Sequence, residues 1–577
     1  MGFILIFIAK NRWWLRSGFF SVLLSMVLIA GPAVYAEEEK SPPSTPDKIW
    51  DWFKSPKLPD GSLILGTTSN YDKDKSQWKL DNSWLWVKSP TLPEGPLTLD
   101  ESVALALRFN RTIKSAYLNR VTQKYTLAVA EDEFNPDLNI TPGFTLSSSG
   151  PTAIDDFRQD TLTYATNFSA TQKIKTGGNF TFAWANSFAN AESSATPSLT
   201  SSWTLGFTQP LLRGAGVDIN TVALRSARIS DENNILSLQS TLISTITSVI
   251  TTYRSYLQTY QKRGIAAESL NRTKKQLAIN EALVETGRLA GVELIQSQAD
   301  IAQKEFDFLT SRNNLDNSRL SLIQALDVNK ASKVIPVEED KSTLKLIKPD
   351  FEKSLKIALA NRTDYLQALN NYEVSKMNLM VAKNSRLWDL SLTTSTSLSQ
   401  TESDKLIKAE QKLANAGRAD YSVGLSLTIP FGDRDRHSSY VSNTIGLENS
   451  RIALRELKEN IEVDIKDRIR DIDLKILQLE LAKRAKELSR KKLEAERLKL
   501  KAGLTTNFQI VSFQNDLVNA ENNETDSIIN YKNALTNFDQ ALGTTLKTWK
   551  VELVNQPETW DSILKKLEKN KFFDSDY

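Results

Sequence analysis

Side chains that commonly do chemistry are scarce in this 577-residue chain. It has no Cys and a single His, His437, which we expect in a surface loop. Most transition-metal sites in proteins need several His or Cys ligands at fixed spacing, so no centre of that kind is predicted. The sequence has no glycine-rich phosphate loop, and its carboxylates are scattered along predicted helix faces as solvated charge. We therefore expect no enzymatic activity, no cofactor and no metal.

The chain instead repeats one plan of elements in its two halves. Each half reads as helix, alternating strands, very long helix, tight glycine turn and return helix. Asn-Arg-Thr occurs at 110–112 and again at 361–363, and a glycine (Gly287, Gly503) precedes an Ala-Leu pair by the same interval in both halves. Barrel-type strands combined with helices too long for a globular domain favour a channel.

These patterns divide the chain into six predicted segments. They are a signal peptide at 1–36, an N-terminal extension at 37–96, a first repeat at 97–326, a linker at 327–350, a second repeat at 351–542 and a C-terminal tail at 543–577. Strands are expected at about 137–210 and 389–430. Long helices are expected at 218–286, 291–326, 436–502 and 508–542.

The N-terminus has the pattern of a secretory signal. Basic residues precede an apolar stretch that ends in the small residues of Val34-Tyr35-Ala36. The alternative is an uncleaved anchor helix, because such a stretch can just span a membrane. The extension that follows is rich in Trp and Pro and repeats the pattern W-x-W-x-K-S-P at 50–56 and 84–90. It either packs along the protein's own body or binds a partner. The net charge of +3 gives no indication of nucleic-acid binding.

The strands and long helices have the patterns of a membrane duct. Apolar residues alternate with Ser, Thr, Asn and Gly over about ten residues, most clearly at 199–208 and 421–429. That length and alternation suit a tilted transmembrane strand with a polar face towards water. A soluble sandwich is the alternative, although the small polar face argues against a two-sided core. The long helices place apolar residues at heptad spacing, which is typical of supercoiled neighbours.

One chain does not offer enough strands for a conducting barrel. We count four clear strands and an extra hairpin at about 160–188, which either joins the barrel or caps it outside. A conducting barrel is wider than this, and strands in lipid cannot leave an open edge. The chain is therefore expected to share a barrel with other copies. Residues 399–420, between the last two strands, are expected to form an exposed loop.

The order of these parts resembles the outer-membrane efflux protein family, the TolC-like channel-tunnels. The resemblance covers about 97–545. It rests on the two glycine turns together with three motifs: Leu99-Asp100-Glu101-Ser102-Val103-Ala104-Leu105-Ala106, Thr208-Gln209-Pro210-Leu211-Leu212 and Thr428-Ile429-Pro430-Phe431. It implies a mixed α+β membrane protein in the cell outer membrane. Three copies would share a twelve-stranded transmembrane barrel, continued through the periplasm by an α-helical coiled-coil barrel.

The same resemblance implies partners and sites. An exit duct of this kind serves efflux or type I secretion and contacts a periplasmic adaptor, an inner-membrane transporter and outer-membrane lipid. Its adaptor-contact turns would be Gly287, Arg288, Leu289, Gly503, Leu504 and Thr505. Its periplasmic aperture would include Glu293, Gln509 and Ser512, and the second half departs from the acidic pattern of the family there. The alternatives are ordinary helix ends for the turns and a plain surface carboxylate for Glu293.

Two rival functions are open at this point. An anchored periplasmic coiled-coil protein without conduction would need an uncleaved N-terminal helix and a two-sided buried sheet. A standalone porin is disfavoured because it has no use for helices of this length.

Overall fold

The computed structural model describes residues 92, 94–149, 159–191, 197–287, 290–338, 346–402, 419–502 and 504–551. All of them lie in the second of two compact units, Phe53–Tyr577. The predicted signal peptide, nearly all of the N-terminal extension and most of the C-terminal tail lie outside the described residues.

In its described residues, the first half contains six strands and five helices of very different length. They are β1 Gly95–Leu97, α1 Leu99–Phe109, α2 Arg111–Glu131, β2 Asp137–Ser149, β3 Gln159–Lys173, β4 Asn179–Ala191, β5 Ser198–Pro210, α3 Val217–Asn220, α4 Val222–Glu285, α5 Val292–Leu326 and β6 Val334–Pro336. A short 3-10 helix, Asp132–Phe134, leads from α2 into β2.

The second half repeats this plan with fewer strands. It contains α6 Phe351–Asn361, α7 Thr363–Ser385, β7 Asp389–Glu402, β8 Asp420–Thr428, α8 Arg434–Lys501, α9 Asn507–Ala541 and α10 Thr545–Thr548. The two longest helices, α4 and α8, have 64 and 68 residues, or about 100 Å each at 1.5 Å per residue.

Six strands from both halves form one antiparallel sheet in the order β2-β3-β4-β5-β7-β8. The predicted 160–188 hairpin therefore corresponds to β3 and β4 in the middle of the sheet, which has six strands in one chain where the sequence predicts four clear ones and a hairpin. The alternation of residues predicted each strand, but it does not reveal which strand pairs with which.

The long helices lie side by side, four at each level. Next to the sheet the order is α2-α4-α7-α8, and further from it the order is α5-α4-α9-α8. A bidentate ion pair, Arg120 with Asp231, joins α2 to α4 at 2.6 Å, and Arg272 with Glu521 joins α4 to α9 at 3.1 Å. By length and composition, α4 is the one described helix able to span a membrane. Its apolar residues, however, form part of the core.

Each of the two repeated motifs contacts a helix of its own half. Asn110 caps α2 by accepting from Thr112 N–H at 2.9 Å, and its amide donates to Ala325 O at 3.0 Å at the end of α5. In the second half Arg362 lies at the start of α7 and pairs with Asp464 of α8 at 2.8 Å. Both Asn-Arg-Thr motifs therefore mark a break between two helices, stabilised by contact with a neighbouring long helix or its return partner.

The largest core cluster surrounds the middle of α4. Ile246, Ile250 and Tyr253 of α4 are fully buried against α1 and the end of α5. The Tyr253 hydroxyl donates to Leu97 O at 2.8 Å and the Tyr256 hydroxyl donates to Val334 O at 2.6 Å. These bonds fix the parallel pair β1–β6 to α4. Burial raises the pKa of Tyr256 to about 12, which keeps it a donor at neutral pH.

Two further expectations, the surface loop at His437 and the start of the loop 399–420, are corrected. His437 is exposed but lies in the first turn of α8, because the Asp433 side chain accepts from Arg436 N–H and caps that helix. The predicted linker 327–350 contains strand β6, paired with β1. The predicted loop 399–420 begins later, because β7 extends to Glu402.

Candidate functional site: the distal turns and the open sheet

Gly287 ends α4 at the end far from the sheet, which we call the distal end. Its φ is +70°, a conformation that favours glycine. Its N–H donates to Val284 O at 2.9 Å, as in a common helix ending. No other described residue has an atom within 4 Å of the place where a Cβ would be, so the backbone conformation rather than crowding favours glycine. Arg288 and Leu289, the other predicted residues of this turn, lie outside the described residues.

Glu496 organises the second distal turn, between α8 and α9. Its carboxylate accepts from the Thr505 hydroxyl at 2.5 Å and pairs with Lys499 at 3.1 Å. The hydrogen bond from Thr505, and then the one from Lys499, lower the pKa of Glu496. Leu504 N–H donates to Lys499 O at 2.9 Å. Gly503 lies outside the described residues, so Leu504 and Thr505 are the predicted residues of this turn that can be placed.

A buried polar cluster of three side chains connects the two turns. The Asn280 amide of α4 donates to Ser297 Oγ of α5 at 2.8 Å and to Asn507 Oδ1 of α9 at 2.9 Å. The Asn507 amide donates to Ser297 Oγ at 3.1 Å, and Ser297 donates to Glu293 O at 2.9 Å. We call Asn280, Ser297 and Asn507 the distal polar cluster. It joins the distal parts of α4, α5 and α9 through hydrogen bonds.

The buried face of α4 changes from apolar to polar towards this cluster. Its buried residues near the sheet and in the middle are mainly Ile, Leu, Val and Tyr, whereas those of its distal third are Ser269, Thr273, Gln276 and Asn280. Polar residues at such positions cost stability but fix how helices align. The contact between the distal ends therefore depends on matched hydrogen bonds.

The three predicted aperture residues lie close to the distal polar cluster. Glu293 is in the first turn of α5, and Gln509 and Ser512 are in the first two turns of α9; all three are half-buried. Among the described residues no hydrogen bond or ion pair joins these three side chains to one another. A ring of charge at this level therefore needs further copies of the chain.

Asp300 is a buried carboxylate about two turns beyond Glu293 on α5. Its Oδ2 has no hydrogen-bond partner among the described residues. Burial raises its pKa, Lys304 partly offsets this and Asp307 adds to it. Lys304 is itself buried and donates to Asn515 of α9 at 2.7 Å.

Large apolar side chains stand exposed around both turns. Leu504 is 76% exposed and Phe508 68%, and Val292 and Ile295 are each 67% exposed. Exposed apolar residues clustered at one end of a molecule are typical of a surface that contacts a partner.

The sheet has one apolar and one small polar face, and both its edges are open. Leu138, Phe144, Tyr164, Leu205 and Tyr421 lie on the apolar face and are exposed. No described residue packs over that face as the second layer of a sandwich, so the two-sided core required by the soluble alternative is not present in the part described. The edge strands β2 and β8 each have one partner among the described strands. Such edges cannot stay unpaired in lipid.

Comparison with known proteins supports this architecture. Residues 355–544 match the model of the outer membrane efflux protein family. No curated protein sequence matches the chain. The structure is similar to CusC, with a TM-score of 0.59 and 16% identity over 77% of this chain and 92% of that one. It is similar to the CmeC outer membrane channel of Campylobacter jejuni, with a TM-score of 0.57 and 14% identity over 87% and 96%.

A third similar structure is the outer membrane protein VceC of Vibrio cholerae, with a TM-score of 0.56 and 13% identity over 77% of this chain and 96% of that one. The predicted resemblance to the outer membrane efflux proteins is confirmed. The predicted location in the cell outer membrane is confirmed by the same family match. The solved structures, at such low identity, show the efflux-protein fold, with its combination of sheet and long helices.

Sequence reasoning missed the distal polar cluster of this efflux-protein fold. Asn280, Ser297 and Asn507 are ordinary surface residue types, and each resembles part of a solvated helix face when read alone. A signal was nevertheless present. Ser269, Thr273, Gln276 and Asn280 keep the three-four spacing of buried positions, so their spacing rather than their polarity indicates burial.

Proposed function

We propose that three copies of this chain form an exit duct through the outer membrane. The duct receives substrates from a periplasmic adaptor and an inner-membrane transporter and conducts them passively to the exterior, in efflux or in type I secretion. One observation carries the proposal. A sheet with an exposed apolar face and two open edges continues directly into helices packed four abreast.

The open edges explain why several copies are needed. β2 and β8 run in opposite directions, because every pairing in the six-stranded sheet is antiparallel. The β8 edge of one copy can therefore pair antiparallel with the β2 edge of the next, and three copies close a ring without leaving an edge in lipid. The number three comes from the family resemblance.

The distal turns are the proposed docking surface for the adaptor. The proposed contacts are Gly287, Arg288, Leu289, Gly503, Leu504 and Thr505. Their support is the exposure of Leu504, the neighbouring Phe508 and the similarly exposed Val292. The distal polar cluster holds the two turns at a fixed separation, so an adaptor would meet a preformed surface.

The narrowest point of the duct is proposed just inside these turns, at Glu293, Gln509 and Ser512. A threefold ring of Glu293 would attract cations and repel anions. Gln509 and Ser512 carry no charge, so the selectivity of the aperture would depend on the first repeat.

Single-channel conductance in planar bilayers tests the duct and its aperture separately. Purified protein is compared with Glu293→Ala and with Glu305→Ala, a control on an exposed part of α5. We expect discrete conductance in all three, with cation preference reduced only in Glu293→Ala. Unchanged selectivity in Glu293→Ala would discard the aperture assignment, and absence of conductance in protein that has inserted would discard the duct.

A further inference from the structure

The hairpin β3–β4 is part of the sheet over its whole length. β3 pairs with β2 from Gln159 to Thr171 and with β4 from Thr161 to Lys173. Its 15 residues, and the 13 of β4, match the 13 residues of β2 and of β5. At about 3.3 Å per residue these strands are all long enough to cross the hydrocarbon core at a tilt.

The turn of this hairpin is anchored at the end of the sheet that meets the helices. Gln209 Nε2, at the end of β5, donates to Thr176 O at 3.2 Å, and Gly216 N–H, just before α3, donates to the same oxygen at 3.1 Å. A Cβ on Gly177 would come within 2.3 Å of Gly214 O. The hairpin therefore starts at the same level as its neighbours and is not an appendage at the outer rim.

The apolar face of the hairpin continues that of the other strands. Phe144 of β2 contacts Tyr164 of β3 with ring centroids 5.0 Å apart, and Phe180 of β4 contacts Phe207 of β5 at 4.4 Å. Trp184 of β4 lies opposite Trp203 of β5. A continuous apolar band across all six strands is what lipid contact requires.

The opposite face of the hairpin is lined by small uncharged residues. Within β3 and β4 this face carries Thr161, Thr163, Ala165, Asn167, Ser169, Thr171, Asn179, Thr181, Ala183, Ala185, Ser187 and Ala189. Lys173, paired with Glu133 at 3.4 Å, is at the helical end. Side chains of this size take little space from a pore, and they do not discriminate between charges.

Eighteen strands match the tunnel better than twelve. With strands ~4.8 Å apart and tilted about 40°, eighteen give a circumference of about 110 Å and twelve give about 75 Å. The helices lie four abreast in each chain, so three copies supply twelve. At an interaxial distance of about 9 Å these twelve helices also close a ring of about 110 Å. The eighteen-stranded barrel and the twelve-helix tunnel can then join without a change of diameter.

We propose that the outer-membrane part is an eighteen-stranded barrel as wide as the helical tunnel, and that it passes bulky hydrated cargo of either charge. This inference rests on the proposed three-copy duct. The extra width comes from β3 and β4, which raise the number of strands in each chain from four to six, an increase of one half. Barrels of this strand number leave an open aqueous channel. Selection of cargo would then occur at the distal end.

Polymer partitioning from the outer side tests the width. Poly(ethylene glycol) of graded size is added on the barrel side of protein in a planar bilayer, where it enters a wide barrel even if the distal end is narrow. Deletion of residues 155–192 removes β3 and β4 and leaves β2 and β5 as antiparallel neighbours. Deletion of residues 405–416, between β7 and β8, is the control that keeps every described strand.

We expect the wild type and the control to admit polymers of about twice the radius admitted by the 155–192 deletion. Side chains shorten the inner radius of both barrels by the same length, and this removes a larger fraction of the radius of the narrower barrel. Equal cut-offs in a conducting wild type and deletion would overturn the wide barrel but leave the duct. No conductance in inserted wild type would instead overturn the duct. If the deletion variant fails to assemble, electron cryomicroscopy of the wild type in lipid nanodiscs decides by the strand count: eighteen supports the proposal and twelve overturns it.

Discussion

At the scale of single residues, hydrogen bonds between buried polar side chains join the distal parts of α4, α5 and α9. Ser297 Oγ accepts two amide N–H groups, from Asn280 and from Asn507. A buried donor that loses its acceptor reduces the stability of the fold by much more than an average hydrogen bond contributes to it. The most sensitive atom of the distal polar cluster is therefore a serine hydroxyl.

We expect Ser297→Ala to destabilise the folded protein by about 1–3 kcal/mol, because two buried amides lose their shared acceptor. Ser321→Ala is the matched control. Ser321 lies on the same helix and also donates to a carbonyl four residues earlier, at 3.0 Å, but it is exposed. The midpoint of thermal unfolding in detergent, followed by circular dichroism, should fall in the first variant only. An equal fall in both would show that the distal polar cluster has no special role.

Asp300 makes stability depend on pH. Its pKa is raised mainly by burial, so the folded state disfavours the charged form. The resulting penalty is present above the raised pKa and is relieved as the pH falls through that pKa towards the ordinary value. We expect Asp300→Asn to raise the unfolding temperature at pH 8, and the gain to disappear in acid. Asp316→Asn, at an exposed position of the same helix, should show no such trend, and a pH-independent gain in Asp300→Asn would contradict this account.

At the scale of elements, the glycine after α9 couples the return helix to the start of the second repeat. Gly543 has a φ of +70°, and a Cβ there would approach Asn361 C and O to 2.8 Å. The end of α9 therefore packs directly on the break between α6 and α7. The Asn-Arg-Thr motif and the Ala-Leu pair recur together along the chain because these segments contact each other.

Gly543→Ala should destabilise the protein by at least about 2 kcal/mol, since the left-handed conformation and the backbone contact both oppose a side chain. Gly264→Ala is the control, for which we expect a change in stability of opposite sign. Gly264 is exposed within α4 and has no atom within 4 Å of a Cβ, so alanine should stabilise that helix by about 0.5–1 kcal/mol. Denaturant unfolding in detergent measures both. Similar losses in the two variants would contradict the argument.

Much of the secondary structure was predictable because each element has a clear period. Ile246 and Ile250 fit the heptad pattern and are fully buried, and the alternation at 199–208 corresponds to β5. Pairing was not predictable, because β5 and β7 are far apart in the chain and their register depends on contacts between them. The distal polar cluster was missed because polarity was read as exposure. The roles of the turns and of Glu293 remain proposals.

At the scale of the whole molecule, the two faces of the sheet differ in polarity. Val423 and Ser422 are adjacent in β8 and point to opposite faces, and the Ser422 and Ser395 hydroxyls are 2.6 Å apart on the polar face. The apolar face has to contact lipid if the sheet spans the membrane. The same substitution at these two positions then separates the two environments.

We expect Val423→Arg to hinder assembly in the outer membrane, because an arginine facing lipid costs about 2–4 kcal/mol near the bilayer centre. Ser422→Arg should assemble well, since its side chain would reach water. The measurement is the amount of heat-resistant oligomer recovered from outer-membrane fractions. If Val423→Arg assembled well and Ser422→Arg did not, the Ser422 face of the sheet rather than the Val423 face would contact lipid.

The antiparallel order of the sheet also limits how such a barrel can change during evolution. A hairpin such as β3–β4 enters and leaves the sheet at the same level, so gaining or losing it reverses no neighbouring strand and moves no helix. If the chain gained a single strand instead, the segment after that strand would emerge on the wrong side of the membrane. Strand number can thus change only by two in each chain, and by six in a threefold assembly. Bore size in this architecture is therefore inherited in steps, and no gradual series of intermediate widths is available to selection.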